Sequence, residues 1–300
     1  MIARTYGKWI LAGEHAVLRG CPALVFPLLS KRFELFYSDD GGRLRATFSG
    51  EHGPELQPLF WLVIERALAL KNLARDDVRG RLDVVSQLPI GAGLGASAAL
   101  CVAVGRWFIA MGWARADELD EFARGLEDLF HGESSGVDVA VAISGRGLRF
   151  VRGGPPSDVA RAWSPNWCLS YSGQRSVTSE CVARVKALFR ADRARAQSLD
   201  EQMRRSVAEA EAAFLLTDSE GGFARMGGAV DLACETFADW GLAGGAMGEH
   251  LVRLRAGGAA AVKPTGSGAG GFALSLWREP PSAETIDRLG LISTGAAHGS

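Results

Sequence analysis

The stretch Pro89-Ile90-Gly91-Ala92-Gly93-Leu94-Gly95-Ala96-Ser97-Ala98-Ala99 limits what this chain can fold into, because it joins an alternating run to a long apolar run through three glycines in five residues. Glycine lacks the Cβ that would hold a bulky anion away from the backbone, and it adopts positive φ where a turn tightens. The small residues Ala96-Ser97-Ala98-Ala99 then open a helix, whose first N–H groups are unpaired and carry roughly half a positive charge. Strand, glycine turn and helix N-terminus in this order make a phosphate cradle.

Read alone, Gly91-x-Gly93-x-x-Ala96 also fits the dinucleotide fingerprint, which likewise follows a strand and opens a helix. Pro89 interrupts the entry into the turn and Ser97 places a hydroxyl inside it. Both favour a nucleoside triphosphate over a dinucleotide. No Gly-Lys-Ser or Gly-Lys-Thr follows, so the Walker lysine is missing. A tight turn with no ligand is the plain alternative.

Three hundred residues exceed the commonest single-domain size, so two lobes are expected. Gly153-Gly154-Pro155-Pro156-Ser157 sets their limits at 1–154 and 155–300. A formal net charge of −1 gives no general attraction to nucleic acid or an anionic membrane, so an anion site has to be built locally. The apolar run Trp9-Ile10-Leu11-Ala12 is cut short by Glu14 and His15, which argues against a secretory signal. Ala98 to Trp113 contains Arg106 and is short for a membrane span, so it is expected as a buried helix. Cys21, Cys101, Cys168, Cys181 and Cys234 are scattered and never spaced C-x-x-C, which fits reduced thiols in a cytoplasmic protein.

Along the chain, Gly7 to Leu18 begins as a strand and passes through Gly13, presenting Lys8, Glu14 and His15 either to a cleft or to solvent at a strand edge. Arg32 to Tyr37 and Arg43 to Phe48 flank the turn cluster Ser38-Asp39-Asp40-Gly41-Gly42 and predict a hairpin. Pro58 to Leu73 predicts a helix with Leu59, Leu62, Val63, Ala67 and Leu70 inward, and Asp117 to Phe130 one with Leu119, Phe122, Leu126 and Leu129 inward. Arg81 to Ser86 alternates and leads into the glycine turn.

Glu127 and Asp138 stand eleven positions apart across a glycine-containing turn, a spacing that allows two carboxylates to face one cavity, one for a cation and one for a proton. Solvated surface acids are the plain alternative. Trp167 to Ser172 predicts a strand, and Gly173 to Thr178 leads into a helix through Phe189. Asp200 to Thr217 and Gly227 to Trp240 predict packing helices. Lys263-Pro264-Thr265-Gly266-Ser267-Gly268-Ala269-Gly270-Gly271 is a second glycine-rich stretch, followed by the strand Phe272 to Trp277. The two glycine loops together suggest a bipartite polyphosphate site. The tail Thr294 to Ser300 is expected to be disordered.

These stretches resemble the GHMP kinases, the superfamily of galactokinase, homoserine kinase, mevalonate kinase and phosphomevalonate kinase. The first family motif is similar to Gly7-Lys8 through Gly13-Glu14-His15-Ala16-Val17, the second to Pro89 through Ala99, and the third to Thr265 through Gly271. Within the superfamily, Gly13-Glu14-His15-Ala16-Val17 is most similar to mevalonate kinases. Glu127 with His131-Gly132-x-x-Ser135-Gly136-Val137-Asp138, and Arg175-Ser176-Val177-Thr178, resemble the mevalonate kinase segments that supply a magnesium ligand, the catalytic aspartate and acceptor contacts. Ala96, Val139 and Phe272 depart from the serine, asparagine and cysteine common at those positions.

The resemblance implies an α+β (mixed α/β), two-lobed kinase fold with its site between the lobes, often as a homodimer, and ATP and Mg²⁺ as cofactors. It also implies roles. Pro89, Gly91, Ala92, Gly93, Leu94, Gly95, Ala96, Ser97 and Gly268 would bind ATP, and Ser97 with Glu127 would hold Mg²⁺. Asp138 and Lys8 would be catalytic, and Glu14, His15 and Thr178 would lie at the acceptor. The expected reaction is phosphorylation of a small hydroxy-carboxylate, mevalonate first. Phosphomevalonate is the alternative, served by an extra basic cluster such as Arg175, Arg204 or Arg205. A Rossmann oxidoreductase would leave the last glycine loop unexplained, and a non-catalytic sensor would be expected to lack Asp138, Ser97 or Glu127.

Overall fold

The computed structural model describes residues 3–130 and 136–295; His131 to Ser135, and the tail from residue 296, lie outside the described residues. The elements begin with β1 (Ala3–Ala12), β2 (Ala23–Arg43), β3 (Arg45–Ser49), α1 (Gly53–Leu70), β4 (Arg79–Ser86), α2 (Ala96–Ala110), α3 (Leu119–Glu127) and α4 (Val137–Ser144). They continue with β5 (Leu148–Phe150), β6 (Ser157–Asp158), β7 (Asn166–Tyr171), α5 (Thr178–Ala191), α6 (Arg193–Leu215), α7 (Ser219–Asp239) and α8 (Gly245–Ala256). The last four are β8 (Ala261–Thr265), β9 (Phe272–Trp277), α9 (Ala283–Leu289) and β10 (Ile292–Ser293).

The chain divides into two compact units. One comprises residues 1–8, 27–90 and 94–145, the other 9–26, 91–93 and 146–300. A single cut near Gly153 is what the sequence predicts; the observed division changes at Gly145/Arg146 and also groups the first motif's Glu14 and His15 with the C-terminal residues.

In the first unit, β4 lies between β2 and β3. It pairs antiparallel with β2, Phe33 opposite Ser86, and parallel with β3, Arg45 opposite Arg81 and Ser49 opposite Val85. The predicted hairpin therefore does not form. Asp39 and Asp40 do accept bonds from the amides of Gly41 and Gly42, which kink the end of β2, but β4 takes the place where β3 would have folded back.

The apolar helix is α2. Leu100 to Val104, Trp107 and Phe108 are buried on all sides, as expected of a helix without a polar face. Helix α1 starts earlier than predicted and turns a different stripe inward: Leu56, Phe60, Val63, Ile64, Ala67 and Leu68 are buried, while Leu62 and Leu70 are exposed. The large Phe60 and Ile64 side chains decide the facing. In the segment after α3, Leu129 is likewise exposed, whereas Phe122 and Leu126 join the core.

In the second unit the strand order is β10-β7-β9-β8, antiparallel throughout. β8 is an edge strand, which is why Pro264, with no N–H to donate, is tolerated in it. Helix α8 covers one face through Met247, Leu251 and Leu254 against Val262, Ala273 and Trp277. The N-terminal residues of β2, Ala23 to Val25, pair with β5, and α6 packs along α7. The five cysteines are free thiols.

Candidate active site

Lys8 closes the part of β1 that belongs to the first unit, and the glycine loop is stitched to it: its amide donates to the Leu94 carbonyl at 2.8 Å. Three residues back, Thr5 Oγ1 donates to the Ala99 carbonyl at 2.9 Å. Lys8 Nζ lies 3.2 Å from Asp138 Oδ1, and the two side chains are 8% and 22% exposed. Asp138 sits in the first turn of α4, where the helix dipole favours an anion, behind Gly136 at φ 78°.

The glycines of the loop serve two purposes. Gly91 and Gly93 have φ 68° and 80°, and a Cβ on either would meet nothing within 4 Å, so they leave open space over the backbone. Gly95, at φ 75°, has the Lys8 stem where its Cβ would be, 2.8 Å from Cγ. It is also the N-cap of α2 and supplies no side-chain bond to the helix, leaving the leading amides for another acceptor. Pro89 and Ala92 are half-buried, Leu94 and Ala96 buried, and Ser97 stands half-buried in the first turn of α2.

Glu127 ends α3 and is 1% exposed. Its charge reaches Cys101 in α2, whose thiol is pushed well up, first by burial and then by this carboxylate. Ser97 and Glu127 are both hard oxygen donors, the kind a magnesium ion accepts alongside phosphate oxygens and water. Among the described residues no group of three or more His, Cys, Asp or Glu side chains is placed to hold a metal. Ser97 and Glu127 thus match such an ion in donor chemistry.

A second cluster lies in the other unit. Glu14, 2% exposed, pairs with Lys263 of β8. Lys263 is wholly buried, and its Nζ also donates to the Ile10 carbonyl at 3.2 Å. Thr265 Oγ1 donates to the same carbonyl at 3.0 Å and lies 2.9 Å from the Ile10 amide. His15 Nε2 lies 2.9 Å from the Ser267 carbonyl. A carbonyl only accepts, so Nε2 carries the proton and Nδ1 is left as an acceptor. Burial lowers the His15 pKa to about 4, more than the Ser267 bond raises it, so the ring is neutral near pH 7.

The third glycine motif is anchored from the other side by the segment before α5. Ser176 Oγ lies 2.8 Å from Ser267 Oγ and donates to the Gly268 carbonyl. Thr178, exposed, donates to Ser267 Oγ at 3.5 Å. A Cβ at Gly268 would meet the Phe237 ring and the Leu242 carbonyl at 2.9 Å. Arg204 is paired with Glu201 at 2.6 Å, and Arg175 is exposed.

The structure thus brings Lys8, Gly95 and Asp138 together, and separately Glu14, His15, Thr178 and Gly268. Lys263, Thr265 and Ser176 belong to the second group and were not singled out as site residues by sequence reasoning. The signal for Lys263 was a lysine with apolar Val262 before it and a glycine motif directly after it.

Residues 61–146 match the family model described as GHMP kinases N terminal domain. Over 95% of its length the chain is 27% identical to a mevalonate kinase of Pyrococcus horikoshii, covering 92% of that protein. It is 29% identical to a mevalonate kinase of Aeropyrum pernix, covering 91% of this chain and 87% of that one. Its fold matches the crystal structure of L. major mevalonate kinase in complex with R-mevalonate with a TM-score of 0.78 at 21% identity, over 96% of this chain and 89% of that one. The Methanococcus jannaschii mevalonate kinase structure matches with a TM-score of 0.74 at 17% identity, over 97% and 94%.

Proposed function

We propose that the chain is a GHMP kinase that transfers the γ-phosphoryl group of ATP to the primary hydroxyl of mevalonate, giving 5-phosphomevalonate and ADP, a reading supported by the family-model match over residues 61–146 and by the mevalonate kinase relatives. The observation that carries the chemistry is the Lys8–Asp138 pair, a cation and a carboxylate 3.2 Å apart, with the glycine loop bonded to the strand that bears the lysine. The acceptor's identity rests on the curated relatives named mevalonate kinase.

Phosphoryl transfer asks the protein for positioning and charge neutralisation more than for covalent chemistry. The open backbone at Gly91 and Gly93, with Pro89, Ala92, Leu94, Ala96 and Gly268, would hold the polyphosphate, and the leading amides of α2 would face its oxygens. Asp138 would take the proton of the acceptor hydroxyl as its oxygen bonds to the γ-phosphorus and the bond to the bridging oxygen of ADP breaks. Lys8 would orient Asp138 and offset charge on the transferring group. Ser97 and Glu127 would hold Mg²⁺, which would supply charge neutralisation of the phosphates when bound. His15, Glu14 and Thr178 would serve the acceptor side. His15 is neutral there, so it would accept a hydrogen bond through Nδ1 from a hydroxyl of the acceptor instead of pairing with its carboxylate.

A cytoplasmic location and a homodimer are part of the same proposal. The five free thiols fit a reducing compartment. Among the described residues no helix is long and apolar enough to cross a membrane.

The test is Mg²⁺-dependent ADP release from ATP with mevalonate, phosphomevalonate, homoserine and galactose offered separately. Turnover with mevalonate alone is expected. Turnover with phosphomevalonate in its place would move the acceptor, and no turnover with any of the four would overturn the proposal.

A further inference from the structure

His15 holds a backbone conformation that side-chain-bearing residues rarely adopt, φ 56° and ψ −47°. Such a state persists only where the surroundings over-determine it. Around His15 they do. The Ala16 amide donates to the Glu14 carbonyl and the Val17 amide to that of Gly13 at 3.0 Å. The ring stands edge-on to Phe237 and Trp240, with centroids 6.0 and 5.3 Å away, and its Nε2–H is bonded to Ser267.

The side chain immediately before His15 is the one that Lys263 grips. Both members of that ion pair are essentially unexposed, at 0% and 1%. Fully buried ion pairs are a poor source of net stability, because desolvation offsets much of the attraction and well-packed apolar replacements are often as stable. What such a pair does supply is geometry. Lys263 also bonds the Ile10 carbonyl at 3.2 Å and lies 5.3 Å over the Phe237 ring, the same ring that His15 abuts. Two residues along β8, Thr265 binds Ile10 as well. The segment Ile10 to His15 is therefore clamped to β8 and to the Ser267 carbonyl beyond it.

We propose that Lys263 is a positioning residue: through Glu14 it keeps His15 in its strained backbone state, with Nε2–H on the Ser267 carbonyl and Nδ1 presented as an acceptor. Glu14 then acts through His15 and does not itself touch the acceptor. The consequence for the reaction rests on the function proposed above, but the state of His15 does not, so the two can fail separately.

The experiment compares the parent with Lys263→Arg, which keeps the charge, and with the double variant Glu14→Gln/Lys263→Met, which keeps the shapes and removes both charges. The double variant avoids leaving Glu14 buried without its cation, the condition that would unfold Lys263→Met alone. Ring nitrogen shifts of ¹⁵N-histidine, with the His15 signal assigned by its loss in His15→Gln, report the tautomer. The parent and Lys263→Arg are expected to show a single Nε2–H tautomer. The double variant, folded by circular dichroism, is expected to show a mixture, with the KM for mevalonate raised about tenfold or more and the KM for ATP within about twofold. A folded double variant with the parent tautomer and the parent KM for mevalonate would overturn the proposal. Absence of turnover on mevalonate in the parent would overturn the assigned acceptor and leave the tautomer comparison to decide the role of Lys263.

Discussion

Gly95 and Lys8 are in contact in a way that only glycine permits: a Cβ on Gly95 would stand 2.8 Å from Lys8 Cγ, on a residue already at φ 75°. The third glycine of the loop thus sets where the lysine goes, while the first two leave room above the backbone. Gly95→Ala is expected to push Lys8 off Asp138 and lower kcat by about 100-fold, the scale of an ångström's misplacement at a reacting centre. Gly91→Ala meets no atom and carries only its backbone strain. Steady-state kinetics of the two variants check this, and equal losses would remove the contact from the mechanism.

Asp138→Asn keeps the shape and removes the proposed proton acceptor. ATP binding by calorimetry should stay near that of the parent, while single-turnover transfer falls by about 10²–10⁴-fold, the usual worth of a general base. Near-normal transfer would restrict Asp138 to pairing with Lys8.

Glu127→Gln removes a buried charge close to α2. The Mg²⁺ concentration for half-maximal activity should rise by roughly tenfold or more, on the scale of losses seen when support of a metal site is removed. The native Cys101 thiol should also become easier to ionise, since the Glu127 charge adds to the effect of burial. An unchanged Mg²⁺ requirement would leave Ser97 without a protein partner at the ion.

His15 makes stability depend on pH with a definite sign. Its pKa falls from 6.5 in the open chain to about 4 in the fold, so between those values the unfolded chain binds more protons. The contribution is fully present above about pH 6.5 and is lost as pH falls to about 4, amounting to about 3 kcal/mol. Urea unfolding from pH 4 to pH 7 should show this slope in the parent and a flatter one in His15→Gln. Parallel slopes would mean that other groups carry it.

Much of this architecture can be read from local pattern. The glycine turn followed by a long, mostly apolar run announces α2, and β9 has the limits its composition predicts. Partnering is another matter. Alternation tells which residues of Arg43 to Phe48 share a face, but the strand beside it comes from residues 79–86, after a helix. The inward stripe of α1 passes through Phe60 and Ile64 and leaves Leu62 outside because bulk at the contact, not leucine count, fixes the rotation. At the site, residue types were legible and surroundings were not. Lys8, Glu14 and His15 are polar residues near a strand end, ordinarily solvated, yet they are 6%, 2% and 7% exposed. The partner that allows Glu14 to be buried lies 249 residues away, beyond the reach of any local pattern.

That separation also bears on the order in which the chain's parts can fold as it is made. His15 and Ser267 are 252 positions apart, and Thr265 reaches Ile10 across 255. A nascent chain that ends before β8 carries the first motif without the lysine that neutralises Glu14, so its N-terminal strand cannot bury that carboxylate favourably. Residues 10–15 therefore lack the contacts that clamp them until β8 and the loop beyond it have emerged. The Glu14–His15 cluster is then among the last parts to form, and a chain shortened before Lys263 should accumulate as a partly folded species, not as a smaller working enzyme.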